Sequence, residues 1–357
     1  MNISDFHFVV PPELIAVAPV HPRSQAKLLT YQRVAKELKH SNFEQLPEFL
    51  LPGDLVIFNN TFVIPARFYG SRETGAKIEG LLLQTKSTRA KVWIRGKAHP
   101  GDRLNIDGFG KVEVLSKNGK QIELNCSRNE LAACLEKCGS IPIPPYIVSE
   151  RARRKLEAGC AEDKESYQTI FAKKGEDFSV AAPTASLHFD DLLLEKLKER
   201  GVEMAEISLH VGEGTFAPVD VGDLSKHQMH SEEVQIPPAT WKKIEKAKSD
   251  GRRVIAVGTT VCRSLESAAE RAEKNLSMDS FSTNLFIRPP FKFKVIDGLI
   301  TNFHWPDSTL VVLVATFLEA KKGRCDDSLS HDWRKIYDEA ISEKYQLFSY
   351  GDGMLIL

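Results

Sequence analysis

Histidines, hydroxyls and small residues gather at four short stretches: "AAPTASLHF" (181–189), "LHVGEGTF" (209–216), "AVGTTVCR" (256–263) and "TNFHWPDST" (301–309). Three of these carry a histidine: His188, His210 and His304. Imidazole titrates near neutral pH, so each is a candidate for moving a proton. A lone histidine between apolar residues, such as His188 between Leu187 and Phe189, is equally compatible with a satisfied core position. In a strand His188 would face away from those two neighbours, and Asn302 and His304 would share one face opposite Phe303. Asp297 falls on the other parity from His304 and joins it only if Gly298 introduces a bulge.

"SKHQMHSEE" (225–233) brings His227, His230 and Glu232 close in sequence. It lacks the H-E-x-x-H helical spacing of a zinc site and names no third ligand, so no metal is expected. Proton transfer or hydrogen bonding by one histidine with Glu232 fits better, the alternative being an ordinary surface loop. "AVGTT" suits an anion: Gly258 permits close backbone approach, and Thr259 and Thr260 open a helix whose first N–H groups lack partners. Arg263, one turn further on, could fork to a carboxylate or phosphate, or simply pair with Glu266. "GEGT" (212–215) has neither the length nor the lysine of a phosphate loop. The basic runs "ERARRKLE" (150–157) and "WKKIEKAKSDGRR" (241–253) are either solvated helix faces or contacts for a polyanion.

Positioning these groups falls to an alternation of strands and helices. "DDLLLEKLKERG" reads as a helix capped by Asp190 and stopped by Gly201. "VEMAEISLH", "RRVIAV" and "FKVIDGLITNFH" read as strands, "VCRSLESAAERAEK", "STLVVLVATFLE" and "DWRKIYDEAISEKY" as helices, and "GDGMLIL" as a last strand. Strands leading into helices imply a parallel or mixed sheet whose ligands bind beyond the carboxyl ends of its strands. From about 70 to 147 the pattern changes to short apolar stretches with "NG" and "DG" turns, a small antiparallel barrel or sandwich. One helix, "NELAACLEKC", interrupts it, capped by Asn129 or Ser127. The prolines of "IPIPPYI" (141–147) predict an extended exit. The fold class is therefore α/β, with residues 1–68 and 150–357 forming a large mixed-sheet domain and residues 69–149 inserted.

Lysine plus arginine equal aspartate plus glutamate at 48 each, so no global positive field marks a nucleic-acid coat protein. None of the six cysteines forms a C-x-x-C pair, which argues against a zinc cluster and for free thiols in a reducing compartment. No apolar run reaches a membrane-spanning length and the first residues lack a secretory pattern, so a cytoplasmic protein without a membrane partner is expected.

Along nearly its whole length the chain resembles the S-adenosylmethionine:tRNA ribosyltransferase-isomerases of queuosine biosynthesis. The resemblance is carried by "SDFHFVVPPELIA", "LPGDLVIFNNTFVIPARFYG", "GSIPIPPYI", "YQTIFA", "VAAPTASLHF", "LHVGEGTFAPV", "HQMHSEE", "AVGTTVCRSLE", "DGLITNFHWPDSTL" and "FSYGDGMLIL". It implies an α/β domain with an inserted β-barrel. It also implies transfer of the ribosyl part of S-adenosylmethionine to 7-aminomethyl-7-deazaguanine at the anticodon wobble position of tRNA. The product is epoxyqueuosine-tRNA, with adenine and methionine released. S-adenosylmethionine is then a co-substrate and no cofactor is expected. A base must remove the acidified C5′ proton, for which His188, His210, His230, Glu232, Asp297 and His304 are the candidates. Asn59, Asn60, Thr61, Arg67, Thr184, Gly258, Thr259, Thr260, Arg263, Thr301, Asn302 and Asp352 are the candidate binding residues. The chain departs from the usual pattern at Phe62 and Gln346, where arginine is usual, at Ser186 and Pro290, where glycine is usual, and at Trp305, where leucine is usual. These departures leave open a tRNA- or nucleoside-binding relative with reduced or lost catalysis.

Overall fold

The computed structural model describes all residues except 84–86, 158, 160–161, 176–177, 211–221 and 320–331. The "GEGT" stretch, Cys160 and Cys325 lie outside the described residues.

The chain enters through β1 (Lys27–Gln32) and β2 (Glu37–Asn42), a short helix α1 (Leu46–Phe49) and β3 (Leu55–Asn59). It then builds a closed barrel from β4 (Arg67–Arg72), β5 (Lys77–Leu82), β6 (Arg89–Arg95), β7 (Arg103–Ile106), β8 (Gly110–Asn118) and β9 (Gln121–Ser127), in spatial order β4-β5-β6-β9-β8-β7. Alternation along β5 and β7 sends Ile78, Leu82, Leu104 and Ile106 inward, where they meet Phe68, Val92, Val114 and Leu124. Helix α2 (Arg128–Cys138) closes one end with Leu131 and Leu135, and the cap is Ser127, whose Oγ accepts from the Glu130 N–H.

The exit is extended only as far as Pro144. Helix α3 (Pro145–Arg153) starts on the last proline of the expected extended run. Proline at the first helical position gives up an N–H that would have no partner anyway, and its fixed φ suits the helix. The basic run carried by α3 is spent internally. Arg151 is buried against Asp163 at 2.7 Å and donates to Val17 O. Arg153 and Arg154 both pair with Glu150, and Arg154 also donates to Ile15 O. Their bonds hold the Glu150 carboxyl down at about 2.

After α4 (Asp163–Ser166), stretch 180–189 makes a tight 3-10 turn at Thr184–Ser186, so the strand alternation considered for His188 does not apply. Asp190 then caps α5 (Asp191–Glu199), accepting from the Leu193 N–H at 2.9 Å. There follow β10 (Glu203–His210), β11 (Glu232–Gln235), α6 (Pro238–Ser249), β12 (Val254–Val257), α7 (Thr259–Glu273) and β13 (Ser280–Thr283). The chain ends with β14 (Gly298–Asn302), α8 (Thr309–Glu319), α9 (Asp332–Ser342) and β15 (Gly353–Ile356). Nine strands form one mixed sheet in the order β13-β11-β10-β3-β12-β14-β15-β1-β2. The central strands β3 and β12 are buried at every residue, as expected of parallel strands covered on both faces.

The sheet's register selects what meets at one edge. Strands β10, β3, β12 and β14 run parallel, so His210, Asn59, Gly258 and Asn302 all sit at the carboxyl end. Strand β15 is antiparallel to β14 with Asn302 opposite Gly353, which brings Asp352 to the same edge. Strand β1 is parallel to β15, which adds the start of β1 beside it. No helix among the described residues is long and apolar enough to cross a membrane.

Candidate active site

At the centre of this edge lies a hydrogen-bonded cluster. Thr184 Oγ1 donates to Asn302 Oδ1 at 2.8 Å, which fixes the amide so that Asn302 Nδ2 donates to His188 Nε2 at 3.1 Å. That bond makes Nε2 the acceptor and leaves the imidazole proton on Nδ1. His188 stacks on Phe43 with ring centroids 4.2 Å apart. Burial, helped by the nearby Arg23 guanidinium, pushes its pKa down to about 3, so at neutral pH the ring is uncharged. His188 thus has both natures foreseen for it, a buried histidine and a member of a polar constellation.

Asn302 Nδ2 also approaches the Asp352 carbonyl at 3.5 Å. The Asp352 carboxylate accepts from the Lys27 N–H and the Gln346 N–H, each at 2.7 Å, clasping β1 to the loop before β15. Desolvation outweighs those bonds and raises its pKa to about 6. A narrow recess adjoins the cluster, lined by Val20, Arg23, Leu187, His188, Ser349 and Tyr350, with about 10 Å³ of free space, room for about one water. Arg23 donates to Gln168 O and Glu165 O, which holds its guanidinium there. Nothing in the sequence marked Arg23, an arginine in an irregular N-terminal stretch whose partners lie more than 140 residues away.

Gly258 ends β12 with φ +98, a conformation that disfavours any other residue, and a Cβ there would lie 3.8 Å from Ala185 Cβ. Helix α7 begins directly after it without a side-chain cap, so its first amides face the strand ends. Thr259 is buried and Thr260 half-buried. One turn on, Arg263 is buried but does not pair with Glu266. Its Nη1 pairs with Glu232, its Nε donates to Leu285 O, and its Nη2 is buried without a partner among the described residues. Glu266 instead accepts the backbone N–H groups of Lys294, Val295 and Ile296, shaping the approach to β14.

A second network occupies the ends of β3 and β10. Asn59 is fully buried and brackets the two strands, accepting from the Thr61 and Leu209 N–H groups and donating to Leu209 O. Thr61 Oγ1 lies 3.1 Å from His210 Nδ1. Asn60 donates to Glu206 and accepts from Ser208 Oγ.

Several candidates are placed elsewhere. His304 does not share a face with Asn302, because β14 ends at Asn302 and the chain turns. Its Nε2 meets Thr301 Oγ1 at 2.8 Å, its backbone N–H donates to Tyr337, and burial pushes its pKa down to about 3. Asp297 precedes β14 at the opposite end of the sheet, bound by Lys248 at 3.1 Å and accepting from the Val254 N–H. It cannot reach the cluster. His230 is exposed, and Glu232 spends its carboxylate on Arg263 and not on a histidine. His227 packs edge-on against Phe286. Among the described residues no three histidine, cysteine or acidic side chains converge as metal ligands. Arg67 lies on the barrel, donating to Ile143 O and pairing with Glu79 at 3.5 Å.

Of the departures, Ser186 is completely buried and its Oγ has no partner among the described residues. It has no positive φ, so a serine fits the backbone there and only the hydroxyl is out of place. Phe62 packs beside the barrel core, and Gln346 accepts from the Asp352 N–H through its carbonyl while its own N–H donates to the Asp352 carboxylate.

A polar cluster at the carboxyl ends of parallel strands, beside a glycine-led helix start and an inserted barrel, defines a ligand-binding α/β enzyme. The family described as "Queuosine biosynthesis protein" matches residues 3–356, and the chain belongs to it. Among its relatives are the S-adenosylmethionine:tRNA ribosyltransferase-isomerases of Legionella pneumophila (strain Paris), 43% identical, and Aquifex aeolicus (strain VF5), 44% identical. Each match covers 100% of both chains. The crystal structure of the S-adenosylmethionine tRNA ribosyltransferase of Thermotoga maritima is 32% identical, with a TM-score of 0.54 over 99% of this chain and 100% of that one.

Proposed function

We propose that this chain is an S-adenosylmethionine:tRNA ribosyltransferase-isomerase acting on tRNA that carries 7-aminomethyl-7-deazaguanine at the wobble position. The observation that carries the reading is the match over the full length to relatives of that name, on a chain whose polar cluster sits where such a fold binds ligands. S-adenosylmethionine serves as co-substrate, without a further cofactor, and the tRNA substrate places the reaction in the cytoplasm.

In this reading the Thr184–Asn302–His188 cluster and the Gly258 turn hold the nucleoside. The α7 amides and Arg263 face the anionic part of the ligand, a carboxylate or a phosphate. His188, neutral and already accepting from Asn302, is a poor proton acceptor at physiological pH and acts by positioning. Asp352, its two carboxylate oxygens taken by the Lys27 and Gln346 N–H groups, holds the start of β1 and the loop before β15 against the cluster. Loss of the C5′ proton next to the sulfonium precedes attack of the amine, and breaking the glycosidic and carbon–sulfur bonds releases adenine and methionine.

The test is incubation of purified protein with ribose-labelled S-adenosylmethionine and precursor-bearing tRNA. Adenine release with label entering tRNA is expected. Tight tRNA binding without adenine release would assign the chain to a binding role instead.

A further inference from the structure

Beside the site, an aromatic group stands partly open. Trp305 follows His304 directly and stacks on Phe348, with centroids 4.1 Å apart and planes 14° off parallel. Tyr146 meets both rings edge-on at 5.3 Å. Those equal distances locate Tyr146. A ring lying over the far face of Trp305 would be the sum of the two separations from Phe348, so Tyr146 flanks the stack and does not cover the outer indole face. Phe348 is 3% exposed whereas Trp305 is 36% exposed.

The arrangement is held firmly. Phe348 keeps a φ of +72, unusual for a bulky residue, pinned by donation of its N–H to Phe303 O. Ser349 N–H donates to Tyr146 Oη, and Ser349 also lines the recess next to His188. The stack is therefore continuous with the site. Trp241 satisfies its indole N–H on Glu245, but the Trp305 indole has no hydrogen bond among the described residues. A rigid indole with one face on a phenyl ring, 36% exposed and with an N–H unbonded among the described residues, is a surface on which a nucleobase stacks.

We propose that the outer face of Trp305 is a stacking platform for a nucleobase at the rim of the site. The inference rests on the functional reading above, which supplies two sources of such a base: the adenine of S-adenosylmethionine and an unpaired base of the tRNA anticodon loop.

The experiment measures affinity of the full chain for S-adenosylmethionine alone and for an anticodon stem-loop RNA alone, in Trp305→Leu and Trp305→Phe. Loss of one base–aromatic stack weakens binding roughly 5- to 150-fold. The leucine variant is expected to lose that factor for one ligand, which names the source, while phenylalanine recovers most of it. Unchanged affinity for both ligands in Trp305→Leu overturns the proposal. So does equal weakening of both that phenylalanine does not restore, or a parent chain that binds neither. A parent that binds these ligands yet releases no adenine from precursor tRNA refutes the catalytic reading and leaves the platform to be decided by the affinities.

Discussion

Replacing His188 by glutamine exposes how much the buried ring contributes to the pH dependence of stability. Glutamine keeps an acceptor for Asn302 Nδ2 but cannot titrate. In the folded chain His188 resists protonation down to about 3, whereas an unfolded histidine titrates near 6.5. Between these values the unfolded chain binds the extra proton, so stability rises with pH there. The contribution is present in full above 6.5 and drains away as pH falls toward 3. Over the whole window it amounts to about 5 kcal/mol, of which about 2.5 kcal/mol is lost between pH 7 and 4.5. His304 and Asp352 titrate in the parent and the variant alike, so the difference between the two isolates His188. The assay is urea unfolding of both proteins at pH 7 and pH 4.5. At pH 7 the variant is the less stable, through lost stacking on Phe43. At pH 4.5 that deficit is expected to shrink or reverse by about 2.5 kcal/mol. A deficit equal at both pH values would refute the claim that His188 is buried in its neutral form.

Asp352→Asn is expected to behave in the opposite sense. The raised carboxyl stabilises the fold below the unfolded value near 3.9 and loses that contribution as pH rises through about 6. The asparagine variant should therefore gain on the parent by about 2 kcal/mol between pH 4 and 7 in urea unfolding, offset by a constant cost from an amide facing the Lys27 or Gln346 N–H. Ser186→Ala removes an orphaned hydroxyl without breaking a bond and should stabilise the chain by about 1 kcal/mol, read from the shift in urea midpoint. Glu232→Gln leaves the Arg263 charge buried without its partner and should cost about 3–5 kcal/mol, with much of the loss recovered in the Glu232→Gln, Arg263→Met double variant.

Strands β10, β12, β14 and β15 were legible as apolar runs, β12 and β14 ended by a polar loop and followed by a helix, whereas β1, β2, β11 and β13 carry no such local signal and were not read. Asp190 before α5 and Gly258 before α7 show how a single residue fixes such a boundary. One local reading failed where the chain changes direction: Pro145 begins a helix that proline was expected to bar, while the small-residue stretch 180–189 does turn, at Thr184–Ser186. Within the site, the choice of His188, Thr184 and Asn302 needed only the sequence, but their pairing needed the 3-10 turn and the end of β14 to meet. Asp297 and His304 were misplaced by extending strand alternation past both ends of a five-residue strand. Arg263 gives the same lesson for charge: the nearest acid along the helix, Glu266, is held by three backbone amides, and the actual partner is 31 residues away. The basic run of α3 could not be read as internal because its acceptors, Val17 and Ile15 from the N-terminal stretch and Asp163 at the start of α4, lie outside the helix itself.

The central claim is that one chain both cleaves S-adenosylmethionine and keeps its ribosyl part on tRNA. The direct measurement is the stoichiometry of a single incubation with precursor-bearing tRNA, counting free adenine, free methionine and ribose label retained on the tRNA. Equal amounts of all three are expected, and none from tRNA that lacks the aminomethyl base. Adenine released without label in the tRNA, or released equally with unmodified tRNA, would contradict it.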